Sequence, residues 1–165
     1  MKKTSIFLFL LMLSVSAFSQ IQFSQFKFGK DSPMGCCPGR KMIKAKFKNT
    51  SGKDFKYVKI HYYAVNGVGD VISGVEQGIT QKGKEFIKPK VLSFTGPIAA
   101  GKQQSGYGSG VITTSLPDVV AMPYQIEIIY MGSNEKELID IDENNISKFF
   151  PKVEWRAYER YNEAM

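Results

Sequence analysis

The chain has one histidine, one tryptophan and two cysteines in 165 residues. Each scarcity removes a class of chemistry. A Ser–His–Asp or Cys–His arrangement would have to use His61, which lies between Ile60 and Tyr62 in the setting of an ordinary strand histidine. A zinc centre needs three or four Cys, His or carboxylate ligands. Cys36, Cys37 and His61 are the obvious candidates, and adjacent cysteines strain to chelate one tetrahedral ion. A dinucleotide fingerprint is missing too: "GYGSG" (106–110) lacks the G-x-G-x-x-G spacing, and "GKQQS" (101–105) lacks a full phosphate-binding loop. This stretch reads as a flexible, glycine-rich loop in which Tyr107 and Ser109 form a candidate contact surface. The acids Glu135, Glu137, Asp140, Asp142 and Glu143 cluster, but "DIDENN" (140–145) lacks the glycine and the bidentate glutamate of an EF-hand. A solvated hairpin edge is the reading there. No cofactor is expected.

Long apolar runs are also scarce, and the only one opens the chain. "MKKTSIFLFLLMLSVSAFSQ" has the charged start, short apolar core and small-residue end of a secretory signal peptide. Its run is too short to span a bilayer comfortably. Ala17 and Ser19 occupy the −3 and −1 positions, which predicts residues 1–19 as the signal and Gln20 as the mature start. The expectation is an exported protein, periplasmic or extracellular. A β-sandwich domain is expected over 20–145, with a C-terminal extension over 146–165.

The composition that remains is rich in apolar and aromatic residues, and period-two alternation dominates it. "KMIKAKFKN" (41–49) sets Ile43, Ala45 and Phe47 against Lys44, Lys46 and Lys48, a half-buried strand of an antiparallel sheet. "FKYVKIHYYAV" (55–65) puts Val58, Ile60, Tyr62 and Ala64 on one face. "VISGV" (71–75) returns after the turn "NGVGD", so these segments predict a three-stranded meander. "QIQFSQFKF" (20–28) slips phase near Ser24–Gln25, which implies a bulge. "EFIKPKVLSF" (85–94) reads as an edge or bulged strand because of Pro89, and 95–106 as a loop turning at Gly96–Pro97. "YQIEIIYMG" (124–132) and "KELIDI" (136–141) form a hairpin, and 147–162 suits one helix with Pro151 in its first turn. The fold class is an all-β, antiparallel immunoglobulin-like sandwich of about seven strands, with a short C-terminal helix.

Charge is uneven along the chain. Residues 20–102 carry 15 Lys or Arg against 5 acids, and residues 103–165 carry 5 against 10. A basic face of this kind could meet a polyanion such as a cell-surface glycan, or oppose the acidic half within the fold. Lysines at outward strand positions account for the pattern under the second reading.

The succession "FKNTSGKDFKYVKIHYYAVNGVGDVI", "TGPIAAGK" and "IEIIYMGSNEKELI" resembles small bacterial extracytoplasmic immunoglobulin-like domains of the FxLYD kind, over roughly 41–141. "YYAVN" stands where that group has its "LYD" element. The resemblance implies a non-enzymatic binding or accessory domain and assigns no functional residues. The expected partner is a protein or an envelope glycan, with no nucleic acid and no membrane-spanning segment. The expected oligomeric state is monomer or weak homodimer.

"MGCCPGRKM" (34–42) sustains the alternative function, soft-metal binding or thiol redox. Cys36 and Cys37 can bond to each other in a strained ring, bond to a second chain, stay free, or join Met34 in gripping a soft ion such as Cu(I). Mass spectrometry of the native exported protein separates these outcomes. The expected result is an N-terminus at Gln20 and a disulfide, either within one chain or linking two. Bound copper instead would favour the metal-handling alternative.

Overall fold

The computed structural model describes residues 19–29, 40–71, 89–112, 118–133 and 135–158, with the backbone alone at 40, 41 and 109–112. Among these residues there are seven strands. They are β1 (Ile21–Phe28), β2 (Arg40–Asn49), β3 (Phe55–Val65), β4 (Lys90–Ile98), β5 (Gln103–Ile112), β6 (Val120–Tyr130) and β7 (Lys136–Asp140). One helical turn follows, α1 (Ile146–Phe149). The strands pair antiparallel in two sheets, β1-β2-β5 and β4-β3-β6-β7. This is the expected sandwich, in an arrangement that sets the fourth strand beside the third rather than beside the fifth.

The inner faces follow the alternation read from the sequence. Ile43, Ala45 and Phe47 of β2 face Val58, Ile60 and Tyr62 of β3 through one buried core that also takes in Phe23, Phe26, Leu92 and Phe94. Burying each of the larger aliphatic and phenylalanine side chains contributes roughly 1.5–3 kcal/mol. The β1–β2 register shifts between Phe23 and Gln25, which is the expected bulge. Strand β4 begins directly after Pro89 and lies at the edge of its sheet, again as expected.

Three expectations need correction. The first is the meander: β2 and β3 are consecutive but belong to different sheets, so "NTSGKD" is a crossover and not a hairpin. Val71 makes an isolated bridge to Val65, and the rest of "VISGV" lies outside the described residues. The second is the loop at 95–106. Strand β4 continues to Ile98, with a cis peptide at Gly96–Pro97, and β5 starts at Gln103.

The third correction is the C-terminal helix, which is shorter than its periodicity suggests. It ends at Phe149, and Phe150 already has φ −125° and ψ 70°. The residue before a proline is pushed out of the helical region, and Pro151 follows. What comes next is irregular chain that packs inward. Phe150 stacks on Phe23 at 4.4 Å, and Val153, Trp155 and Tyr158 lie against the core. The Nη1 of Arg156 fastens this tail by donating to the carbonyls of Asn66 (3.1 Å) and Asp118 (3.0 Å). Among the described residues no helix is long and apolar enough to cross a membrane.

The crossover turns on Asn49, which is fully buried. Its Nδ2 donates to the carbonyls of Lys53 (2.9 Å) and Ile98 (3.0 Å). Its Oδ1 accepts from the backbone N–H (3.0 Å) and hydroxyl (2.7 Å) of Ser51. Its backbone N–H donates to Lys102 and its carbonyl accepts from Gly101, both at 2.9 Å. Asn49→Ala strands the buried Ile98 carbonyl, whereas the Lys53 carbonyl, nearer the surface, keeps the Ser51 hydroxyl, and the variant should cost roughly 1–3 kcal/mol, read from the urea midpoint. Asn49→Asp preserves shape but points an oxygen at those carbonyls, so it should destabilise at least as much. A neutral result for either variant would contradict this account of the corner.

Candidate functional site

The outer face of the β1-β2-β5 sheet is built from the residues that the core rejects. With Ile43, Ala45 and Phe47 turned inward, β2 must present Lys44, Lys46 and Lys48 to solvent. They stand about 6.6–6.8 Å apart along the strand. Register supplies their neighbours. Lys48 lies between Gln22 and Gln103, Lys46 between Gln25 and Ser105, and Lys44 between Lys27 and Tyr107. Strands β1, β2 and β5 contain no Asp or Glu. Among the described residues, no carboxylate pairs with any of these four lysines.

Lys27 and Lys44 sit directly opposite each other, a like-charge pairing that strands usually avoid. In water two ammonium groups at the ~5 Å of a cross-strand pair repel by only about 0.8 kcal/mol, and those ~7 Å apart along β2 by about 0.6 kcal/mol, so the sheet tolerates the row. Neighbours at that spacing lie within the ~8 Å screening length of physiological salt, and their potentials add.

Tyr107 closes the row. It is 56% exposed, and the Lys44 Nζ lies 5.4 Å from its ring centroid. The segment "GYGSG" is therefore not the expected flexible loop: it is part of β5, and Gly106 and Gly108 are inward strand positions. A Cβ on Gly106 would lie 2.7 Å from Phe94 Cε1, and one on Gly108 would lie 2.5 Å from Leu92 Cδ1. The glycines make room for side chains of the opposite sheet, and in doing so they aim Tyr107 outward. Ser109 is also on β5, but its side chain is outside the described residues.

The outer face of the other sheet is organised differently. Glu127 of β6 is 8% exposed, and its carboxylate gathers three groups. The Lys59 Nζ lies 3.0 Å from Oε1; the His61 Nε2 and the Lys136 Nζ each lie 3.8 Å from Oε2. Burial raises the Glu127 pKa, but the Lys59 hydrogen bond and the charges of Lys59, Lys136 and His61 outweigh it and leave the group below its ordinary 4.5. Burial is the main influence on His61 and holds it below 6.5 despite the attraction of Glu127. A carboxylate held ionised by two lysines is a weak base, and the cluster fastens β3, β6 and β7 together.

The remaining candidates are accounted for as follows. Cys36, Cys37 and Met34 lie outside the described residues. Asp142 is committed to its own turn: its carboxylate accepts from the N–H of Asn144 (2.9 Å) and Asn145 (3.1 Å). Asp140 accepts from Gln125 at 2.9 Å, and Glu137 accepts from the Tyr130 hydroxyl at 2.6 Å. A groove of about 300 Å³ runs between Phe26, Phe28, Val120 and Val153, at the small end of the range for ligand sites. Comparison of the chain with family models, curated proteins and solved structures gave no match.

The Glu127 cluster makes stability depend on pH with a definite sign. The unfolded chain takes up a proton at His61 more readily than the folded one, so stability falls as pH drops through and below 6.5. Glu127 acts in the same direction lower down, losing its contribution as pH falls through and below 4.5. Urea midpoints should therefore decline from pH 7 to pH 4. His61→Gln should flatten the upper part of that decline and leave the lower part in place.

Proposed function

We propose that this protein is an exported, non-enzymatic binding module whose docking surface is the outer face of the β1-β2-β5 sheet and whose partner is anionic. The observation that carries the reading is the row Lys44, Lys46 and Lys48, with Lys27 beside it and no acid on the three strands. Support also comes from the opposite face, where the one buried carboxylate among the described residues serves as a lysine partner. The uneven charge along the chain fits as well, because its basic part supplies this row.

Magnitudes select the kind of partner. One exposed ammonium–carboxylate contact is worth about 0.2–1 kcal/mol. Four of them reach at most the ~4 kcal/mol of a millimolar complex, so a small anion gains little here. A partner carrying many charges on one chain turns successive contacts into intramolecular ones and accumulates avidity. The surface suits a polyanion.

Retention of the chain from Gln20 onward on immobilised dextran sulfate, measured across a salt gradient, tests the reading. The triple variant Lys44→Gln/Lys46→Gln/Lys48→Gln should elute at much lower salt and lose about tenfold or more in affinity. A control triple, Lys53→Gln/Lys56→Gln/Lys148→Gln, removes equal charge elsewhere and should elute near the parent. Equal losses in both triples would reduce the effect to net charge and end the proposal.

A further inference from the structure

We infer that the polyanion is a linear acidic polysaccharide, lying along β2 with its carboxylates on the lysine row and a sugar ring against Tyr107. The inference rests on the function proposed above and narrows its partner to one chemistry.

The residues beside the lysines decide it. Lysine alone would serve any anion, but the rungs place Gln25 and Ser105 next to Lys46, and Gln22 and Gln103 next to Lys48. A primary amide donates and accepts in one plane, and a hydroxyl does both by rotating. A chain that presents a hydroxyl beside each charge uses such neighbours; a bare phosphate polymer does not. Lys46 and Lys48 are therefore flanked on both sides by groups matched to vicinal hydroxyls.

Tyr107 supplies the other half of sugar recognition. A pyranose ring has one face lined with C–H groups, and an exposed aromatic ring receives it. Here the ring is 56% exposed, and the Lys44 Nζ is 5.4 Å from its centroid. That ammonium stands over the ring, so a uronate packing on this face would displace it and take it up with its own carboxylate.

Rival partners ask for other features. Single-stranded nucleic acid is held by successive stacking aromatics, and among the described side chains this face has one. A membrane surface would be met by inserted apolar side chains alongside the basic ones, and the rungs carry glutamine and serine at those positions.

The test is calorimetric titration of the chain from Gln20 onward with polygalacturonate, polyphosphate of equal charge, neutral dextran and phosphatidylglycerol vesicles. Polygalacturonate should bind several-fold tighter than polyphosphate, and dextran should not bind measurably. Tyr107→Ala, and separately Gln25→Ala, should weaken polygalacturonate about tenfold or more and leave polyphosphate unchanged. Tyr107 is exposed and Gln25 half-buried beside the β1 bulge, and an unaltered circular dichroism spectrum confirms the fold in each variant. Equal or tighter binding of polyphosphate or vesicles would overturn the inference while leaving an anion-binding face. So would a uronate preference that neither variant moves. Failure of every anion to bind would remove the proposed function along with it.

Discussion

Everything in the sandwich is positioned by the corner at Asn49, where the chain leaves one sheet for the other. A buried primary amide is costly unless each of its donors and acceptors is matched. Here they all are, and the partners come from three places: the crossover at Ser51 and Lys53, the end of β4 at Ile98, and the turn at Gly101–Lys102. Gly101 has φ +75°, a conformation that suits glycine, and this lets its N–H reach the Asn49 carbonyl. Crossover, strand end and turn thus share one side chain. Asp54 extends the tie, since its carboxylate accepts from Ala100 at 2.9 Å and its carbonyl accepts from Met131 at 2.9 Å.

From that corner, register runs outward in both sheets and determines which side chains meet. Strand β5 leaves the Gly101 turn and pairs with β2 in a phase that sends Gly106 and Gly108 inward and Ser105 and Tyr107 outward. A shift of one residue would exchange the two sets and drive Tyr107 into Phe94 and Leu92. The composition of the lysine face is therefore a by-product of core packing. Alternation decides that lysines point outward, and the corner decides that glutamine, serine and tyrosine stand beside them.

Much of this was legible in the chain. The alternation named the core of "KMIKAKFKN" and of "FKYVKIHYYAV" as far as Tyr62, and the phase slip near Ser24 marked the bulge. Beyond the register shift at His61–Tyr62, Tyr63 is buried in the core against its alternation and Ala64 joins a separate cluster with Val119. Local pattern carried those inferences, because side-chain alternation is a local property. What it could not carry was pairing. A short turn-rich link such as "NTSGKD" suits a hairpin and a crossover equally well, and the choice depends on Asn49 finding Ile98 across 49 residues. Lys59 and Glu127 are separated by 68 residues, so "YQIEIIY" gave no sign that its glutamate would be buried among cations. The glycines of "GYGSG" misled for a related reason. Alone they indicate freedom, whereas opposite Phe94 and Leu92 they indicate lack of space.

The two outer faces then differ in one respect that bears on function. Both carry lysines at outward strand positions, as alternating strands often do. On the β4-β3-β6-β7 sheet, Glu127 stands between Lys59 at 3.0 Å and Lys136 at 3.8 Å, so that face holds a counter-charge of its own. On the β1-β2-β5 sheet, the position beside Lys46 on β5 belongs to Ser105, and the one beside Lys48 to Gln103. A glutamate at either place would have compensated this row in the same way. A fold that gives one lysine face a carboxylate of its own, and lines the other with neutral hydrogen-bonding groups, concentrates its unpaired charge on one side. The asymmetry belongs to the pairing of strands, and no count of charges along the chain contains it.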